Sequence, residues 1–236
     1  MRTSSMLLIR VKYILRTEGL ISLVNRAASS LIRRIFHYGT FYLYEHTTGN
    51  HYEADFMPRM QDFTFKLVAT NQQASELAAN SFEDFRGRFL NSRRGLDKGA
   101  IAFCIFHGLE LAHIGWVAMT EEAKNTFDTL PYYVNFLDNQ ACTGGTITVP
   151  KYRGKGLMTY GYFKRFEYLR KHGITTSRNA VNAGNVASQK VHAKFGPIIY
   201  ARARYIKILW WKFWKEVPIE HTTVTNLPNL PPVATE

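Results

Sequence analysis

The sequence predicts an α/β (α+β) fold in which one mixed sheet is flanked by helices, and three observations predict it. Strand-like and helix-like segments alternate from Thr143 to Phe195, an order that needs a crossover connection. Upstream, residues 63 to 119 read strand, helix, hairpin. The chain has 236 residues, 46% hydrophobic and 14% aromatic, enough for one domain to bury a continuous core.

Residues Met6 to Phe36 place Leu8, Val11, Leu15, Leu20, Val24, Ala28, Leu31 and Ile35 at spacings of three to five, with basic residues between them. This is the pattern of two basic amphipathic helices hinged near Gly19. Such helices either lie on an anionic membrane face or dress the outside of their own domain. Arg10, Lys12 and Arg16 interrupt the apolar run before a signal-peptide core or membrane span is complete, so the expectation is a cytoplasmic protein without a transmembrane helix. Tyr38, Phe41, Tyr42, Tyr44 and the segment His46 to Pro58 show weak periodicity and several turn formers. Residues 1–60 therefore read as a helical extension and an irregular connection, and 61–216 as the main domain.

Within that domain Phe63 to Ala69 is a strand, and Asn71 caps a helix running through Leu77 and Phe85. Ala100 to Phe106 and Leu111 to Met119 form two strands joined by His107 and Gly108. Thr120 to Asn139 has no sustained period and reads as a binding loop, where Tyr132, Tyr133 and Phe136 can stack on a substrate. Thr143 to Val149 is a strand, Gly156 to Lys171 a helix, Thr175 to Val181 a strand and Asn185 to Phe195 a helix. Ile198 to Tyr205 and Ile206 to Trp214 close the sheet as an antiparallel pair. The cluster Trp210, Trp211, Phe213 and Trp214, alternating with Lys212 and Lys215, suits core or homodimer packing ahead of a membrane-interface belt. From 217 to 236, Pro218, Pro228, Pro231 and Pro232 mark a flexible tail.

Thirty Lys and Arg against eighteen Asp and Glu give a formal charge of +12, which favours an anionic partner: a phosphorylated cofactor, acidic lipid or nucleic acid. No zinc-finger, RRM or helix-turn-helix pattern supports the last. Two cysteines, Cys104 and Cys142, do not make a disulfide framework, and Cys142 reads as a small buried thiol. His37, His46 and His51 are too widely spaced for a helical metal pair, so no metal is expected.

The chemistry concentrates in two segments. In Thr148-Val149-Pro150-Lys151-Tyr152-Arg153-Gly154-Lys155-Gly156-Leu157-Met158 a strand ends, a basic glycine turn follows and a helix begins. Gly154 and Gly156 let the backbone approach a ligand closely, the first helical N–H groups point at it, and Arg153 and Lys155 add charge, a combination suited to a pyrophosphate. It is neither a P-loop nor a G-x-G-x-x-G fingerprint. The second segment is a short helix from Asn185, a capping residue, to Gly196. Ala187, Val191 and Phe195 point to the core by spacing, and Asn185, Ser188 and His192 line a polar face.

Together these segments resemble the acetyl-CoA half of the GNAT superfamily of N-acetyltransferases. The pattern is strand, R-x-x-G-x-[G/A] turn, helix, strand, then N-x-x-[A/S]-x-x-[L/V]-Y-x-K-x-G. Arg153, Gly156, Asn185, Ser188, Val191, Lys194 and Gly196 match it; Met158 and His192 depart from it, the latter standing where many members carry a Tyr. The resemblance implies a partly splayed sheet and direct transfer of an acyl group from acetyl-CoA, or another acyl-CoA, to an amine. It implies that backbone near Ile147, Thr148 and Val149 holds the thioester carbonyl, that Arg153, Gly154, Lys155, Gly156, Leu157 and Met158 hold the pyrophosphate, and that Asn185 and Ser188 position the pantetheine arm. His192 is then the candidate general acid, with Tyr160 and Tyr200 as alternative donors. Glu110, His113, Glu121 and Asp138 are base candidates that read as solvated surface groups. An amino sugar or cell-envelope precursor is the expected acceptor; a non-catalytic scaffold and a nucleic-acid binder are the competing classes.

Overall fold

A computed structural model describes residues 36–49, 51–89 and 91–223 together with Leu20 and Ile21. The amphipathic pattern of residues 1–35 and the tail beyond 223 lie otherwise outside the described residues. The strands are β1 (Phe36–Thr47), β2 (Phe63–Val68), β3 (Ile101–His107), β4 (Glu110–Ala118), β5 (Gln140–Thr148), β6 (Thr176–Asn182), β7 (Ile198–Ile208) and β8 (Trp211–Thr223). The α-helices are α1 (Asn71–Ala79), α2 (Ser92–Asp97), α3 (Glu121–Phe127), α4 (Leu157–Lys171) and α5 (Val186–Ala193).

All the strands join one eight-stranded sheet in the order β2-β3-β4-β5-β6-β1-β7-β8. Neighbours run antiparallel except β5 and β6, which pair in parallel only from Gln140–Thr176 to Cys142–Arg178. Beyond Cys142 the two strands separate, so the sheet is mixed and splayed, with α4 as the crossover. The chain builds a core on each face. Phe85, Leu96, Ala123 and Trp116 pack on the face that carries α1, α2 and α3, and Leu157, Phe163, Phe166 and Leu169 of α4 pack on the other.

Four sequence expectations change here. Tyr38 to Tyr44 is no irregular connection: β1 lies inside the sheet between β6 and β7. Its Leu43 enters one core while Tyr42 and Tyr44 enter another cluster, so burial on both faces erases the alternation by which a strand is read. The helix from Asn71 stops at Ala79 with Thr70 as its cap, and Phe85 sits in a separate 3-10 turn. Thr120 to Asn139 contains α3, capped by the Thr120 hydroxyl, and buries Tyr132. β8 runs on through Pro218 to Thr223, with Pro218 tolerated on the outermost strand of the sheet.

The β7–β8 connection is two residues, Leu209 and Trp210, with Leu209 at φ +55°. Trp214 packs against the first core, but Trp210, Trp211 and Phe213 are exposed, because the hairpin extends past the helices that cover the sheet.

Candidate functional site

Where β5 and β6 part, a cleft of about 870 Å³ opens between them, lined also by the start of α4 and by α5. One wall is the end of β5 and the turn into α4. The register of β4 and β5 shifts between Ile114 and Trp116, so β5 bulges at Gly145 and Thr146. Gly145 sits at φ +56°, and a Cβ there would lie 2.7 Å from Trp116 Cδ1, so the bulge requires glycine twice over. Below it, Gly154 (φ +76°) and Gly156 (φ +82°) bend the chain into α4, with Gly156 as the left-handed N-cap. The turn is held by Arg59 N–H donating to the Lys155 carbonyl (2.9 Å) and by Arg153 Nε reaching the Thr148 carbonyl (3.4 Å). The unpaired N–H groups of the first turn of this fifteen-residue helix face the cleft with the positive end of its dipole.

Ile147, Thr148, Arg153, Gly154, Gly156, Leu157, Met158, Asn185, Ser188 and His192, from three separated segments, all line this cleft. Val149 and Lys155 do not. Val149 is buried in the second core, and its N–H is already donated to the Ala112 carbonyl (2.9 Å), which leaves no donor for a thioester oxygen. Lys155 points over the Tyr152 ring, its Nζ 5.9 Å from the centroid. The proposed substrate residues also lie elsewhere. Tyr132 is buried, donating to Asp128 Oδ2 (2.7 Å) beside Cys142 Sγ; Phe136 packs on the first core; Tyr133 is exposed.

The other wall comes from β6 and α5. Asn185 caps α5, its Oδ1 accepting from Ser188 N–H (3.1 Å). The faces of α5 divide differently from the sequence expectation: Phe195 is buried and Asn185 exposed as expected, but Ser188, Gln189 and His192 are buried, Ala187 is exposed and Val191 is half-buried between the cleft and the second core. Inward polar groups are accommodated because they are bonded. Gln189 Nε2 donates to the Ala183 carbonyl (2.7 Å), and His192 Nδ1 meets His46 Nε2 of β1 at 2.9 Å.

Beneath the cleft lies a buried polar cluster, of which sequence reasoning singled out His192 as an acid and His113 as a surface base but missed Arg165 and the role of His46. His46, His113, His192 and Arg165 are all fully buried. Arg165 stacks on Tyr162 (3.7 Å), donates from Nε to the Gly161 carbonyl (3.0 Å) and from Nη1 to Thr146 Oγ1 (3.1 Å), and leaves Nη2 without a partner. No carboxylate pairs with it among the described residues. His113, expected at the surface, is held under β5 by Thr148 Oγ1 (2.8 Å). Burial, then the Arg165 cation, pushes His46 and His113 down to about 3. Burial, then His46 and Arg165, holds His192 well below the usual imidazole range. All three imidazoles are neutral at pH 7. In the tautomer in which His46 Nε2–H donates to His192 Nδ1, the proton on His192 sits on Nε2, which has no partner and belongs to a residue lining the cleft.

A second hollow of about 240 Å³ is lined by Arg88, Asn91, Ser92, Trp116, Thr126 and Phe127 and shares Gly145 and Ile147 with the first. The two meet at the bulge from opposite faces of β5. Asp128, at the end of α3, was absent from the sequence candidates, having no motif around it. Its Oδ2 is 3.9 Å from where a Gly144 Cβ would stand, and burial raises its pKa. Of the expected base candidates, Glu110 pairs with Lys151 and Arg88; of the alternative proton donors, the Tyr160 hydroxyl already donates to Glu53 (2.8 Å). Cys104 and Cys142 are both buried thiols, and no His, Cys, Asp and Glu group suited to a metal occurs among the described residues.

No family model and no curated protein matches the chain. Solved structures do. A tandem GNAT protein of the clavulanic acid biosynthesis pathway matches at TM-score 0.50 and 18% identity, covering 78% of this chain and 55% of that one. The GCN5-related glucosamine N-acetyltransferase region of a fungal multi-domain GH3 β-N-acetylglucosaminidase matches at TM-score 0.52 and 11% identity, covering 80% and 23%. The GCN5-related N-acetyltransferase of Sphaerobacter thermophilus gives TM-score 0.47 at 12% identity, covering 85% of this chain and 59% of that one. The chain thus spans about half of the tandem protein and a smaller part of the fungal one. Its fold, a mixed sheet flanked by helices, is that of the GNAT superfamily.

Proposed function

We propose that this chain is an N-acyltransferase that moves an acetyl or other acyl group from acyl-CoA directly to an amine. The observation that carries the reading is the convergence of both motif segments on one cleft at the parting of β5 and β6. The α4 N-terminus and Arg153 would hold the cofactor pyrophosphate, and Asn185 and Ser188 the pantetheine arm. No helix among the described residues is long and apolar enough to cross a membrane.

In this reading the acceptor enters through the smaller hollow and meets the thioester at the bulge, where backbone N–H groups near Ile147 would stabilise the developing oxyanion. Asp128 takes the acceptor proton through a water. His192 Nε2–H would donate a hydrogen bond to the departing thiolate, which would take its proton from solvent, and His46 fixes the tautomer that makes His192 a donor. The aromatic and polar lining of the small hollow, Trp116 and Phe127 beside Asn91 and Ser92, suits an amino sugar or an envelope precursor carrying one. Glucosamine, acted on by the fungal structural neighbour, is the first acceptor to try. Residues 1–36 would bring the enzyme to the anionic membrane face where such precursors are assembled.

Calorimetric titration with acetyl-CoA tests the reading: micromolar binding is expected, with loss in an Arg153→Ala, Gly156→Glu variant. Absence of binding to acetyl-CoA and to longer acyl-CoA would put the scaffold reading in its place.

A further inference from the structure

The free end of the sheet, away from the cleft, carries a surface that acyl transfer does not use. In the register, Phe36 lies opposite Ile208, and Ile208 opposite Trp211; one step in, Tyr38 lies opposite Ile206, and Ile206 opposite Phe213. Residues opposite one another and two apart along a strand share a face, so these six side chains form two continuous apolar rows. They lie on the outward face, since the alternate residues Ala203 and Tyr205 are buried. Trp211 is 72% exposed and Trp210, in the turn, 77%; Phe36, Tyr38, Ile208 and Phe213 are each about half exposed.

Cations surround these rows. The next row inward is Thr40, Arg204 and Lys215, followed by Tyr42, Arg202 and Val217; the reverse face carries His37, Lys207 and Lys212. Residues 1–35, which join the domain at Phe36, carry Arg2, Arg10, Lys12, Arg16, Arg26, Arg33 and Arg34 against the single acid Glu18.

We propose that this end of the sheet docks on an anionic lipid surface, with the Phe36, Tyr38, Ile208, Trp210, Trp211 and Phe213 side chains entering the headgroup boundary and Arg204, Lys212 and Lys215 meeting lipid phosphates. Charge selects this occupant. A second copy of the chain would set Arg204 and Lys215 against like charges, and residues 1–35 have the same sign as the surface they would cover. An anionic bilayer complements both, and aromatic residues flanked by Lys and Arg are suited to its interface. The docking is independent of the acyl-transfer reading, and it adds a second contact beside residues 1–36.

The test is flotation of the full chain with vesicles of phosphatidylcholine alone or mixed with phosphatidylglycerol. The wild type, Trp211→Ser/Phe213→Ser and Lys212→Glu/Lys215→Glu are compared after their thermal unfolding is shown to match. The expected result is binding to the mixed vesicles only, weakened at least about tenfold in each variant. Tryptophan emission of the wild type should shift to shorter wavelength and be quenched by lipid brominated in its acyl chains, a readout that needs no variant. Unchanged binding in both variants, or no quenching, overturns the proposal. So does loss of binding only when residues 1–35 are removed. A dimer that the Trp211→Ser/Phe213→Ser variant converts to monomer overturns it as well, by making this face a subunit interface.

Discussion

The wall of the cleft formed by β5 and the turn into α4 acts mainly through its backbone, whereas the wall formed by β6 and α5 acts through side chains, with His192 bonded to His46 of the distant strand β1. The first is exposed, glycine-bent and cationic. The second covers a buried cluster that is polar, neutral at its histidines and short of hydrogen-bond partners. A backbone cradle needs only correct local geometry. The buried cluster needs the whole sheet in place before any of its groups is positioned, and it spends folding stability, because removing an uncompensated guanidinium from water costs several kcal/mol.

If the walls differ in this way, acid should attack first the buried cluster beneath the cleft, which joins His192 of the second wall to His46 and to His113 under β5. His46 and His113 stay neutral in the folded chain down to about pH 3 and His192 stays neutral well below the usual imidazole range, whereas unfolding returns all three to about 6.5. The unfolded state therefore binds more protons below pH 6.5, and the stability present above that pH is lost as pH falls. Each histidine contributes about 1.4 kcal/mol per pH unit, so together they remove about 4 kcal/mol per unit once fully protonated when unfolded. Urea unfolding at pH 7, 6 and 5 measures this; a flat profile breaks the comparison.

Gly161→Ala sharpens it, since the new Cβ would lie 2.6 Å from His113 Nε2; about 3 kcal/mol of stability should be lost in urea unfolding. On the first wall the effects should fall on binding. Asp128→Asn, just past α3 and beside Gly144 of β5, should lower kcat by about a hundredfold with KM for acyl-CoA unchanged, as steady-state kinetics would show. Arg153→Ala should weaken acetyl-CoA about tenfold in calorimetry while leaving the unfolding midpoint in place. The smallest effect belongs to Lys151→Ala, which breaks a solvent-exposed pair with Glu110 and should change stability by less than about 1 kcal/mol.

The same contrast explains what the sequence revealed. The β5-to-α4 turn and the Asn185 cap were legible because their chemistry is local: glycines where φ is positive, a capping side chain three residues from its donor. His46 was not, because its partner His192 is 146 residues away and its strand hides its period by burying both faces. The burial of Ser188 and His192 on α5 was illegible for a related reason. Spacing assigns Ala187 and Val191 inward by polarity alone, and only the bonds from Gln189 and His192 to the rest of the fold make the polar side the buried one.

The place of β1 bears on how the molecule is assembled. Glu45 meets Arg178 across 133 residues, and β1 pairs next with β7, so a strand made early must wait for nearly all of the remaining sheet before its hydrogen bonds close. Long-range closure of this kind slows folding. During synthesis, β1 would emerge with its aromatic side chains and both backbone edges unpaired, and β2 to β5 would be complete before the centre of the sheet forms. A chain cut short before Ile198 would leave β1 one partner instead of two. Adding β7 therefore closes the middle of the sheet late, after His46 has been set opposite Ser177 of β6, within reach of His192.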